Sequence, residues 1–313
     1  MKIALTGITG FIGQNLMPQL LTTDKDNQFL TINRDVNKAH KLFPLSTYKN
    51  FIHISTNELY KLIEYNPDIV IHLATLSTSR CDTEIIRPLL AANIEFGVLL
   101  LDALSQCENL KLFVNTGSFA EYRYNPEHLD DAYLYSATKT AFRSFVDFYS
   151  HIGHGFRYIT AIPYSVYGGN MTIKRLFDYI IESQNAKKPI DMTAGEQVLD
   201  FIHVDDVASF YTHIIEHYMF FLTLPENGME FHLGTGRGTS IREVALLIEE
   251  ASQRKCNINW GGRPYREQDI MYAVAPVNKN KNCGWKANIS LKDGINRFIE
   301  KVITNCQNIN GIS

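Results

Sequence analysis

A doubly wound α/β fold is what this sequence predicts, with a parallel sheet covered on both faces and a smaller mixed α/β portion after it. Three observations point there. Short apolar runs alternate with helical patterns through the first half of the chain. The first run leads at once into a glycine-rich turn. The chain has 313 residues, 45% of them hydrophobic and 20% charged, which is enough for one large α/β unit or two unequal domains.

Lys2–Gly7 reads as a buried parallel strand, and a helical pattern follows with Ile12, Leu16 and Leu20 on one face. Pro18 falls inside that helix, where it should cost a hydrogen bond and a local kink. Gln28–Ile32, Asp68–Ala74, Leu110–Asn115 and Phe156–Ile162 are further strands. The spacing predicts helices over about 87–106 and 133–151. Beyond Pro163 the pattern is mixed. Helices are expected at Ile173–Glu182, Asp205–His217, Ser240–Ser252 and Leu291–Ile303, with a short strand within Gly195–Val204. The tail from Thr304 is polar and Asn-rich and should fray.

A net charge of -3 argues against an extended basic surface, so no nucleic-acid partner is expected. Cys81, Cys107, Cys256, Cys283 and Cys306 form no CxxC pair and no metal-ligand pattern. Free thiols in a reducing compartment are expected. The N-terminus shows no secretory pattern, and the apolar run Tyr218–Leu224 is too short to span a bilayer. The expectation is a cytoplasmic protein with no membrane partner. His72 and His203 read as structural residues near strands, and no metal site is expected.

Gly7, Gly10 and Gly13 are spaced GxxGxxG between a strand and a helix. Such a turn can aim backbone N–H groups at a pyrophosphate, with the helix N-terminus supplying partial positive charge. Residues 1–163 are therefore read as a dinucleotide-binding domain and 164–303 mainly as a substrate-binding domain. Segments near 200–215 and 230–236 return to the first, and 304–313 form a tail. A carboxylate ending the second strand would bind a free ribose 2′-hydroxyl. Here Asn33 and Arg34 stand there, followed by Asp35. Arg34 can neutralise a 2′-phosphate, so NADP(H) is favoured, and Asp35 keeps NAD(H) open.

Tyr135 and Lys139 are four residues apart, on one face of a predicted helix. A phenol with a reference pKa near 10 needs its phenolate stabilised to exchange protons at neutral pH, and an ammonium can do that. Asn115-Thr-Gly-Ser118 ends the preceding strand with a hydroxyl that can bind a substrate oxygen.

Together these motifs resemble an extended short-chain dehydrogenase/reductase of the NAD-dependent epimerase/dehydratase type. The resemblance covers roughly residues 1–300. It rests on Thr6–Gly13, His72-Leu-Ala74, Asn93-x-x-x-Gly97, Ser118 with Tyr122, Tyr135 with Lys139, Tyr167-Gly168, Asp200–Val207 and Gly234-Thr-Gly236. It implies that Tyr135 is the acid–base residue, that Ser118 orients the reacting oxygen, and that Lys139 binds ribose hydroxyls. Tyr135 and Ser118 then also contact the substrate. Gly7, Thr9, Gly10, Phe11, Ile12 and Gly13 would form the cofactor loop, with Leu73, Ala74, Pro163 and Tyr164 lining the rest of the site.

The resemblance further implies a nucleotide-sugar substrate, a homodimer and a role in bacterial surface-polysaccharide precursor synthesis. Family dehydratases carry an acidic pair after the hydroxyl residue, where this chain has Phe119 and Ala120, so 4,6-dehydration is not expected. The substrate-phosphate arginine of many members is Leu199 here. Arg263 and Arg266 are then the candidates for the diphosphate, through their planar donor forks. The expected reaction is NADPH-dependent reduction of the C4 carbonyl of a CDP- or dTDP-linked 4-keto-6-deoxyhexose. An NAD-dependent UDP-hexose 4-epimerase and a non-catalytic dinucleotide sensor are the alternatives.

Overall fold

A computed structural model describes residues 1–23, 25–169, 174–280 and 283–310, with side chains up to residue 302. The first half alternates β1 (Lys2–Thr6), α1 (Phe11–Leu20), β2 (Gln28–Asn33), α2 (Val36–Leu42), β3 (Phe51–Ser55), α3 (Leu59–Tyr65) and β4 (Ile69–His72). It continues through α4 (Thr83–Leu90), α5 (Phe96–Ser105), β5 (Leu112–Thr116), α6 (Leu134–Ser150) and β6 (Arg157–Pro163). The second half adds β7 (Ser165–Tyr167), α7 (Leu176–Ser183), β8 (Ile190–Met192), β9 (Val198–Leu199), β10 (Phe201–His203), α8 (Val204–Glu216) and α9 (Tyr218–Leu222). Then come β11 (Met229–Leu233), β12 (Thr239–Ser240), α10 (Ile241–Ser252), β13 (Ile258–Trp260), β14 (Tyr272–Ala273) and α11 (Leu291–Asn310).

Seven parallel strands form the main sheet in the order β11-β6-β5-β4-β1-β2-β3. The direction of winding reverses between β1 and β4, which opens a crevice at their carboxyl ends. Ile3 and Leu5 of β1 point into one core with Leu16 and Leu20 of α1 and Ile214 of α8, while Ala4 points into the other with Leu101 and Phe142. This two-sided burial is why β1 reads as an unbroken apolar run. Short two- and three-stranded sheets made from β7–β10 and β12–β14 surround a separate core with Phe177, Phe201, Val244, Ile248 and Ile295. The doubly wound sheet with a smaller mixed portion is therefore as the sequence indicates.

Several elements differ from expectation for local reasons. Pro18 stays inside α1 because its ring lies on the solvent face, where water can take the carbonyl it frees, while Leu16, Met17 and Leu20 anchor the opposite face. The helix expected from about 87 begins at Thr83 and carries a π-helical turn at Ala91–Glu95 between α4 and α5. That turn points Asn93 inward, which is a common use of an extra helical residue. By length and composition the helical run Thr83–Ser105 could cross a membrane. Here Leu100, Leu101 and Leu104 belong to the core, and a Cβ at Gly97 would lie 2.3 Å from the Phe142 ring of α6. Ile173, the expected first residue of α7, lies outside the described residues, as do 311–313 of the tail, whereas α11 continues to Asn310. Among the described residues Cys81, Cys107, Cys256 and Cys283 are free thiols and no His/Cys/Asp/Glu cluster could hold a metal.

Candidate active site

The carboxyl ends of β1 and β4 are joined by one hydroxyl. Thr6 Oγ1 accepts the Ala74 N–H at 3.1 Å and lies 2.9 Å from His72 Nδ1, to which it then donates. Burial first, and the Lys139 charge second, push the His72 pKa down to about 3, so its ring is neutral. Gly7, at φ +74°, lets the turn pass this junction: a Cβ there would meet Ala74 N at 2.5 Å and Leu73 C at 2.6 Å. Gly13 packs α1 onto the strand end, since its Cβ would lie 2.4 Å from Gly7 O and 2.5 Å from Ile8 Cα. Gly10 is less crowded, with Gly7 O at 3.1 Å. It caps α1 with no side-chain bond, so the N–H groups of Phe11, Ile12 and Gly13 are left for a ligand. The Thr9 carbonyl is held by the Gln14 side chain at 2.9 Å. Such a cradle fits the pyrophosphate of a dinucleotide.

Ser118 caps a short 3₁₀ turn, Phe119–Glu121, that leaves the end of β5. Its Oγ accepts the Ala120 N–H at 3.2 Å. Tyr135 lies in the first turn of α6 and Lys139 one turn on, the spacing read from sequence. The hydroxyls of Thr75, Ser77 and Ser118 face the Tyr135 phenol and favour its ionised form. Burial, then the charge of Glu121, outweigh them and push that pKa up to about 12. Burial lowers Lys139 to about 8, with Glu121 opposing and Arg143 assisting. Lys139 is buried, 3% exposed.

Asn93 holds the loop after β4 beside this group. Its Oδ1 accepts from Leu76 N at 2.7 Å and from Thr75 Oγ1 at 3.1 Å, and its Nδ2 donates to Thr138 Oγ1 at 2.9 Å. Leu73 is buried at the end of β4. Pro163 ends β6, and Tyr164 stacks on Phe119 with ring centroids 5.7 Å apart. A pocket lined by Phe119, Tyr122, Tyr124, Tyr164 and Tyr272 opens beside the Ser118 turn.

The two arginines singled out in the sequence part company. Arg266 reaches the loop after β4, donating from Nη1 to Ser79 Oγ at 3.1 Å, and pairs with Asp269 at 3.4 Å. Arg263 follows β13; its backbone N–H bonds Met192 O at 3.1 Å, and no contact ties its side chain to the Ser118–Tyr135 group among the described residues. Sequence reasoning missed Arg175, whose guanidinium lies 4.5 Å from the Phe11 ring centroid, where the Tyr135 charge reaches it. It also missed the roles of Thr75, Ser77, Glu121 and Arg143. Thr75, Ser77 and Arg143 act across tertiary contacts that no local spacing marks, whereas Glu121 stands at the S-x-x-E spacing of a capping box with Ser118.

Comparison with known proteins adds to this geometry. A model of the NAD dependent epimerase/dehydratase family matches residues 3–221. The CDP-abequose synthase of Yersinia pseudotuberculosis is 26% identical over 308 residues, covering 96% of this chain and 100% of that protein. That of Salmonella typhimurium is 28% identical over 309 residues, covering 96% and 98%. Among solved structures, UDP-glucuronic acid 4-epimerase from Bacillus cereus, in complex with UDP-glucuronic acid and NAD, superposes with a TM-score of 0.82. It is 21% identical and covers 97% of this chain and 100% of its own. UDP-glucose 4-epimerase from Thermus thermophilus, in complex with NAD, gives 0.77 at 21% identity, covering 96% and 98%.

Six solved structures with this fold are in complex with NAD, which overturns the preference for NADP(H) read from Arg34. The local structure gives the physical reason. Asn33 is buried and spends its amide on Thr31 O at 3.1 Å and Thr31 Oγ1 at 2.8 Å. Arg34 is exposed, and no hydrogen bond or ion pair among the described residues orients its side chain. Asp35 caps α2 by accepting the Lys38 N–H at 2.9 Å.

Proposed function

The chain belongs to the NAD dependent epimerase/dehydratase family, and we propose that it uses NAD(H) to transfer hydride at C4 of a nucleoside-diphosphate hexose. The observation that carries this reading is the convergence of the Ser118 and Tyr135 hydroxyls from two separate elements, with Lys139 buried one helical turn away. The glycine cradle would hold the pyrophosphate of NAD, and Lys139 its ribose hydroxyls. Bound there, NAD supplies the hydride acceptor or donor.

The chain's own residues do the rest. Ser118 and Tyr135 hold the C4 oxygen from two sides. In the oxidative direction Tyr135 takes the hydroxyl proton as hydride leaves C4. In the reductive direction Tyr135 returns that proton to the alkoxide. Tyr135 is a phenolate before that oxidation and after that reduction, and the Lys139 ammonium steadies it in that form. Arg266 holds the substrate diphosphate, with Arg263 as the less placed candidate.

Closing the cycle on the opposite face of the sugar gives net 4-epimerisation with NAD retained, the reading that the NAD-bound 4-epimerase structures favour. A second reading is net NADH-dependent reduction of a 4-keto-6-deoxyhexose. It is favoured by the likeness to CDP-abequose synthases along both whole chains. A panel of UDP-, CDP-, dTDP- and GDP-linked hexoses and their 4-keto-6-deoxy forms separates them by product NMR and absorbance at 340 nm. Inversion at C4 without change in the dinucleotide pool marks the epimerase, and stoichiometric NADH loss marks the reductase. No turnover with any of them leaves a dinucleotide sensor.

The same reading includes a homodimer. Ile86, Leu90 and Leu99 on α4 and α5 and Phe145 and Phe148 on α6 are exposed, and Phe148 is 58% accessible. An apolar face of this kind on three neighbouring helices fits a second copy of the chain.

A further inference from the structure

Ser118 and Tyr135 stand on different elements, and one buried ion pair joins those elements. Glu121 ends the 3₁₀ turn that begins after Ser118, and it is 0% exposed. Its Oε1 accepts the Ser118 N–H at 2.6 Å. Its Oε2 accepts from Arg143 Nε at 2.7 Å, while the Thr140 hydroxyl 3.3 Å away has Asp131 Oδ1 as its nearer acceptor at 2.9 Å. Burial pushes the Glu121 pKa up, and the Arg143 charge and bond, the Ser118 N–H and the Lys139 charge pull it back; the paired Arg143 and Ser118 donors favour the ionised form. Arg143 stands on α6 at four residues beyond Lys139 and eight beyond Tyr135, so the three share one stripe of the helix. Its other nitrogens reach Glu230 on β11 and, at 3.2 Å, the Tyr122 hydroxyl, which itself donates to Glu230. A buried ion pair is a poor way to gain stability compared with apolar packing. What this one supplies is direction and charge beside the reacting group.

We propose that Glu121, held by Arg143, is a positioning residue that locks the turn carrying Ser118 against the helix carrying Tyr135 and Lys139, and keeps an anion beside the Lys139 ammonium. The proposal rests on the C4 hydride-transfer reading. The electrostatics agree with the geometry: the Glu121 charge favours the protonated forms of both Tyr135 and Lys139. The other groups that face this cluster are Arg143 on the same helix, Tyr122 beside the turn and Asp131 before the helix. From elsewhere His72 on β4, Tyr211 on α8, Arg175 before α7 and Glu230 on β11 also face it. Burial and Lys139 keep His72 neutral, and His232, Arg143 and Tyr122 hold Glu230 ionised against its burial, so neither titrates near neutral pH.

The test is Glu121→Gln, read by kcat and KM, by the pH profile, by NAD binding and by hydrogen exchange of a peptide covering 116–122. The expected result is a loss in kcat of about 10- to 100-fold, the scale of a small misplacement of reacting groups. KM and NAD affinity should change little. The alkaline limb of the profile should move to lower pH, because Lys139 loses its anion. Exchange at Ser118 should quicken. A folded variant with wild-type kcat and an unmoved limb overturns the proposal, as does a loss confined to thermal stability. If Arg143, left with Glu230 and Tyr122 but without Glu121, prevents folding, Glu121→Gln with Arg143→Gln removes both charges. That protein should fold and keep a low kcat with fast exchange at Ser118, and wild-type kcat in it also overturns the proposal. Hydrogen exchange needs no turnover. A wild-type protein without C4 chemistry would therefore refute the functional reading while the exchange data still judge the clamp.

Discussion

A methyl group at Gly10 should leave the fold in place and remove the dinucleotide, whereas one at Gly13 should damage the fold. The two glycines differ in what a Cβ would meet. At Gly13 it would lie 2.4 Å from Gly7 O and 2.5 Å from Ile8 Cα, both backbone atoms that cannot swing aside. Overpacking of that kind costs about 1–3 kcal/mol and lowers the melting temperature by several degrees. At Gly10 the nearest atom is Gly7 O at 3.1 Å, and the backbone is extended at φ -84°, open to any residue. A shift of a few tenths of an ångström accommodates it, so Gly10→Ala should melt within about a degree of wild type. If the pyrophosphate lies over Gly10, the methyl group occupies its place, and NAD affinity should fall tenfold or more, about 1.4 kcal/mol. Calorimetric titration with NAD and a thermal melt on both variants give the comparison. Wild-type NAD affinity in Gly10→Ala would refute the placement of the pyrophosphate on this turn.

Other outcomes follow from the same geometry. Tyr135→Phe should keep NAD binding and lose about 10²- to 10⁴-fold in kcat, measured at saturating sugar nucleotide. Lys139→Met should stabilise the protein in urea melts at pH 7, because the fall from 10.5 to about 8 reports a buried charge costing roughly 3 kcal/mol. Below pH 8 the native and unfolded chains both carry that proton; between about 8 and 10.5 only the unfolded chain does. The gap between variant and wild type should therefore narrow as pH rises through that window, and a gap that widens would contradict the sign. Phe148→Glu should give a monomeric mass by light scattering where the wild type gives a dimer, since it puts a charge on the exposed α6 face.

Much of the sheet was legible because β1, β2, β4, β5 and β6 are short apolar runs that end at turns. β3 escaped notice: Ile52 faces solvent, and His53 is made compatible with the core only by its bonds to Thr31 Oγ1 at 2.5 Å and Phe43 O at 2.9 Å. The helices α2 and α3 have seven residues each, too few to show a period. In the site, residues tied by short spacing were visible, namely the three glycines and the Tyr135–Lys139 pair. The Ser118-x-x-Glu121 spacing is a local capping signal, but the link of Glu121 to Arg143 is not legible, because Arg143 is 22 positions away and the bond forms only when α6 packs on the turn. Arg34 misled for the converse reason: its charge is plain in sequence, but the direction of its side chain is not.

The claim that hydride moves at C4 is tested most directly by one single-turnover measurement, chosen because both proposed reactions share the step. The enzyme is mixed with NADH carrying deuterium at the transferring position and with a nucleoside-diphosphate 4-keto-6-deoxyhexose, and the product is read by NMR. The account predicts one deuterium at C4 of the sugar, and no such transfer by Tyr135→Phe on the same timescale. Deuterium left entirely on the dinucleotide, or a product changed at C3 or C5 with C4 still a carbonyl, would contradict it.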